Sequence, residues 1–114
     1  MDLTPSSRAL ELEAALEELM REHVLPAEKA FRRHRETHGV ADNSVPPVLE
    51  ELKAEARSRG LWNLFLPAES GLTQLEYARI AELSGWSPEL APEAMNCSAP
   101  VTGNLELLHL LGTP

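Results

Sequence analysis

Apolar residues recur at helical spacing along most of this chain. Over residues 6–25, Leu12, Leu16, Leu19, Met20 and Val24 follow the i, i+4, i+7, i+8 pattern of one helix face. Thr4 or Ser6 can cap that helix, and Glu11, Glu13, Glu17, Glu18 and Arg21 form its wet side. Pro26 lacks the N–H that the helical ladder needs, so a kink or a fresh start is predicted there. The next segment, PAEKAFRRHRETH, carries a thin apolar stripe of Ala27, Ala30 and Phe31 and stops at Gly39.

A turn-rich stretch follows, in which Ser44 can cap a third helix and Pro46 or Pro47 can occupy its first turn. Val48, Leu49, Leu52 and Ala56 share a face, and Gly60 supplies the C-terminal stop. LWNLFLP reads as a buried extended connector, because no other segment offers it a strand partner. Thr73 and Glu76 then form a T-x-x-E capping box, with Leu72 and Tyr77 placed as a hydrophobic staple. That helix runs to Gly85, and Ser87-Pro88-Glu89 predicts the start of another short one. Residues 100–111 are apolar nearly all round (Leu105, Leu107, Leu108, Leu110, Leu111), which is the mark of a buried helix. Either the bundle wraps this helix, or it packs on a partner or a domain outside the chain. The pattern predicts an all-α fold, a bundle of about five or six short helices in one domain over residues 1–114.

Composition narrows the function. A formal charge of −8 and a pI near 4.9 disfavour nucleic acid as a partner, and 4% aromatic residues leave few stacking platforms. No apolar run reaches the ~20 residues of a membrane span, and the N-terminus lacks the plan of a signal peptide. One cysteine, Cys97, excludes an internal disulfide and fits a reducing compartment, so a cytoplasmic location is expected.

Candidate chemistry is sparse. His34 and His38 lie four apart, a spacing that can serve a metal, yet HRETH is not H-E-x-x-H and is flanked by Arg32, Arg33 and Arg35. A solvated basic helix end is the expectation, with no metal site. His23 reads as a half-covered helix residue and His109 as a core or interface histidine. Cys97 could be activated by a following helix start, but small buried filler is the stronger expectation. The six glycines form no G-x-G-x-x-G and no P-loop. NCSAPVTGN places small polar residues and Gly103 at the entry to the apolar last helix. Glycine there costs about 1 kcal/mol in helix propensity, and it suits either close helix packing or the approach of a ligand.

LWNLFLP-AESGLTQLEYARIAELSG and LAPEAMNCSAPVTGNLELLHLLGTP resemble the N-terminal helical domain of an acyl-CoA dehydrogenase. The branch resembled most is the one whose human members carry a kinase-like region ahead of the dehydrogenase. The likeness covers essentially the whole chain and is most specific between Gly60 and Gly112. Residues 67–71 make a shorter loop than in much of the superfamily, and Val101 stands where the branch has aspartate in A-P-D-T-G-N. The resemblance implies an FAD-dependent α,β-dehydrogenation of an acyl-CoA thioester. In that family a carboxylate removes the α-proton while the flavin N5 takes the β-hydride. It further implies a β-domain and a second helical domain, both absent here, and a homodimer or homotetramer. In that family the usual base comes from the second helical domain, so the resemblance implies no catalytic base in this chain. By position, Met95, Asn96, Ala99, Pro100 and Gly103 would line the acyl chain or flavin. A self-sufficient all-α protein–protein interaction module is the alternative.

Overall fold

The computed structural model describes residues 2–113, and all regular structure among them is helical. Helix α1 (Ser7–Leu19) is capped by Ser6, whose hydroxyl accepts from the Ala9 N–H at 3.1 Å. It runs without a break through a π-helical turn (Met20–Val24) into α2 (Leu25–His38). Pro26 therefore interrupts the α ladder by widening it rather than by ending it. In the wider turn the Leu25 N–H donates to the Met20 carbonyl, and Met20 and Val24 both stay fully buried. At about 1.5 Å per residue this rod should span roughly 48 Å, and the longest dimension of the molecule is 49 Å.

Helix α3 (Pro47–Ser58) follows a loop, then short α4 (Pro67–Ser70), α5 (Gln74–Ser84), short α6 (Ala91–Ala94) and α7 (Val101–Leu111). The core joins Leu12, Leu16, Leu19 and Met20 to Leu52 and Ala56 of α3, Ile80 of α5, and Leu90, Ala91 and Met95 around α6. Helix α1 packs on α5, and α3 on α6. The connector supplies Leu61, Leu64 and Leu66 to the interior, but as bends and a turn rather than as an extended run.

The capping box at Thr73 forms in both directions: the Glu76 N–H donates to the Thr73 hydroxyl, and the Thr73 N–H to the Glu76 carboxylate. That carboxylate also accepts from the Ser6 N–H at 3.0 Å, tying the start of α1 to the start of α5. The hydrogen bonds from Ser6 and Thr73 pull Glu76 down to about 2. A second tie is the Arg8 guanidinium donating to the Ser70 carbonyl at 3.1 Å.

Three further expectations need correction. Pro46, not Ser44, sits at the N-cap of α3; Ser44 lies too early in the chain and spends its hydroxyl on Asp42. Ala30 is exposed, because the rod outruns the elements that could cover it. Residues 87–90 form a turn, and helix begins only at Ala91 with Pro92 in its first turn. Of the two alternatives for the last helix, wrapping by the bundle is excluded: no residue of α7 is buried. A radius of gyration of 15.1 Å, against about 13 Å for a compact chain of this length, reflects the long rod and this uncovered helix.

Candidate functional site

The segment 95–111 is anchored by a pair of asparagines. Asn63 and Asn96 both adopt left-handed backbone, with φ of 59° and 57°, a conformation that asparagine tolerates better than most residues. The Asn96 amide donates to the Asn63 side-chain oxygen at 2.7 Å, and the Asn63 N–H donates to the Met95 carbonyl at 3.2 Å. The connector and the end of α6 are thereby clasped together. The Cys97 N–H donates to the Pro92 carbonyl at 2.8 Å, and the Ser98 hydroxyl to the Glu93 carboxylate at 2.6 Å. Residues 96–98 leave the core in this fixed turn, and α7 starts at Val101.

The five residues singled out from sequence divide into two groups. Met95 is 1% exposed and packs in the core, so it supports the segment from behind. Asn96 is half-buried, while Ala99, Pro100 and Gly103 are exposed on the outer side. A Cβ built on Gly103 meets nothing within 4 Å, so close packing inside this chain does not explain the glycine. Beyond it, Leu107, Leu108, Leu110 and Leu111 are 56%, 65%, 70% and 77% exposed. Four neighbouring leucines on one uncovered helix form the kind of apolar surface that marks an interaction site.

Cys97 adjoins Tyr77 and packs against the core. Burial pushes both its thiol and the Tyr77 phenol above their ordinary ranges, so the cysteine is a protonated filler rather than an activated nucleophile. Positions 80–114 hold no lysine or arginine, and no phosphate-binding loop occurs in the sequence. For a pyrophosphate this face therefore offers neutral donors only, the side chains of Asn96 and Thr102 and the backbone N–H groups at the start of α7. A groove of roughly 600 Å³ lies elsewhere, between α2 and residues 87–90, and includes Phe31, Arg32, Arg35 and Leu90. It contains none of the five residues. The asparagine clasp left no trace in the sequence pattern beyond the residue type. Among the described residues, no helix is long and apolar enough to cross a membrane.

No family model matches the chain. It is 55% identical over 113 residues to the probable acyl-CoA dehydrogenase FadE2 of Mycobacterium tuberculosis, covering 99% of this chain and 28% of that protein. It is 48% identical over 99 residues to human acyl-CoA dehydrogenase family member 11, covering 82% of this chain and 12% of the human protein. A solved structure from Mycobacterium abscessus, described as a putative acyl-CoA dehydrogenase, superimposes with a TM-score of 0.85 at 44% identity. That match covers 96% of this chain and 29% of the solved one. The chain thus spans little more than a quarter of the longest match among these relatives.

Proposed function

We propose that this homologue of acyl-CoA dehydrogenases is the N-terminal helical domain of such an enzyme, forming one wall of its acyl and flavin pocket. The observation that carries it is α7. A fragment-length match to larger enzymes coincides with a helix whose leucines have nothing to pack on within the chain. Asn96, Ala99, Pro100 and Gly103 form the pocket wall, and Met95 braces it. FAD is the cofactor of the complete enzyme, bound mainly by regions outside this chain. The substrate is an acyl-CoA thioester, the assembly a homodimer or homotetramer, and the location cytoplasmic. An interaction module with no catalytic partner domains would use the same exposed helix, so the test must be enzymatic.

Gly103→Leu in the complete enzyme is that test. A Cβ at this position meets nothing within 4 Å inside the domain, so the variant should fold while the pocket narrows. The variant should shift kcat/KM toward shorter acyl chains or abolish turnover. An unchanged chain-length profile would remove Gly103 from the pocket.

A further inference from the structure

A cluster at the far end of α2 has chemistry that the proposed function does not use. His34 and His38, one turn apart, stack with ring centroids 4.0 Å apart and planes 23° apart. Gly39, at φ 78°, ends the helix and turns the chain back, so that Asp42 arrives beside both rings. One ligand atom from each of the three residues lies within 4.8 Å of the others. Two imidazoles and a carboxylate are a donor set suited to Zn²⁺ and its neighbours in the transition series. Ligands about 2.0–2.1 Å from a tetrahedral zinc lie about 3.4 Å apart, a closure that small rotations of these accessible side chains can supply.

The hydrogen bonds select the tautomers. His38 Nδ1–H donates to the His34 carbonyl at 2.9 Å, which leaves the Nε2 lone pair free. A ring nitrogen fixed on a backbone carbonyl is the usual support of a metal-bound histidine. The Ser44 hydroxyl donates to Asp42, so His34 Nε2–H donates to Ser44 Oγ at 3.1 Å and leaves Nδ1 unprotonated. The Ser44 N–H holds the same carboxylate at 3.2 Å.

Of the neighbouring arginines, Arg35 is drawn to Phe31, one turn before it. Arg35 lies over the Phe31 ring, 5.9 Å from its centroid, and together with Arg32 lines the groove toward residues 87–90.

We propose that His34, His38 and Asp42 bind a zinc-class divalent cation, which clasps the loop after α2 to the helix end. Water completes the coordination shell, and Ser44 acts as a positioning residue for Asp42 and His34. Asp42 joins the two helical histidines through a turn that helical spacing does not encode.

The test is titration of the metal-free chain with Co²⁺, read by visible absorption, and with Zn²⁺, read by calorimetry. One equivalent should bind. His38→Ala and Asp42→Asn should each weaken binding by more than tenfold, and Ser44→Ala by about tenfold. Cys97→Ser should bind as tightly as the unaltered chain. Absence of one-equivalent binding would overturn the site, as would binding retained in a His34→Ala/His38→Ala double variant with its helical circular dichroism intact. Because the readout is metal binding and not dehydrogenation, the result is independent of the pocket assignment.

Discussion

Truncating leucines at two positions separates core from interface. Leu16 is fully buried among the residues of α1, α3 and α5, whereas Leu108 on α7 is 65% exposed. Leu16→Ala removes buried methyl and methylene groups from a packed interior and should cost about 2–5 kcal/mol. Leu108→Ala removes surface that water already reaches and should change stability by no more than about 0.5 kcal/mol. Covering the four exposed leucines of α7 would be worth about 4–8 kcal/mol gross, at about 1.5–3 kcal/mol for a whole leucine. That is comparable to the roughly 4–15 kcal/mol lost when two free bodies associate, so the isolated chain should self-associate only weakly. A domain tethered to its partners avoids much of that loss. Urea denaturation reads the stabilities, and sedimentation read over rising concentration reads the association. If Leu108→Ala cost 2 kcal/mol or more, α7 would be packed in the isolated chain and the uncovered helix would be refuted. A strict monomer at the highest concentrations would equally refute an associating surface.

Three further outcomes follow from local chemistry. Because Glu76 is held near 2 when folded against an ordinary 4.5, it stabilises the native state above pH 4.5, and that contribution is lost as pH falls toward 2. Glu76→Gln should flatten the acid limb of a stability–pH profile, and Thr73→Ala should cost about 1 kcal/mol at neutral pH. Asn96→Ala should cost about 2–3 kcal/mol from left-handed strain and the lost bond to Asn63, while Asn96→Gly, free of the strain, should cost less by chemical denaturation. Cys97 should react with a thiol reagent more slowly in the folded chain than in the unfolded one, since burial keeps its thiol protonated.

Most of the helices were legible because their signals are local. The Thr73–Glu76 box, the Ser6 cap and the stops at Gly39 and Gly60 each depend on residues within a turn of one another. The stripe from Leu12 to Val24 was legible for the same reason, but its continuation across Pro26 was not. Whether a proline breaks or widens a ladder depends on burial at Met20 and Val24, which is settled by tertiary packing. The last helix shows the opposite limit. Its composition marks an apolar surface, yet periodicity cannot say whether the same chain covers it. In the candidate site, Gly103 and the exposed small residues were legible as a departure from good helix composition. The core position of Met95 and the Asn63–Asn96 clasp were not, because each depends on a contact between distant segments.

The most direct measurement of the central claim is acyl-CoA-dependent flavin reduction, followed by loss of flavin absorbance under anaerobic conditions. On the proposed reading, it compares the isolated 114-residue chain with the full-length enzyme of which the chain is the N-terminal domain. The full-length protein should retain FAD and reduce it on addition of an acyl-CoA, whereas the isolated chain should do neither. An isolated chain that bound FAD tightly and oxidised an acyl-CoA, or a flavin-loaded full-length protein inert to acyl-CoA thioesters of every chain length, would contradict the account.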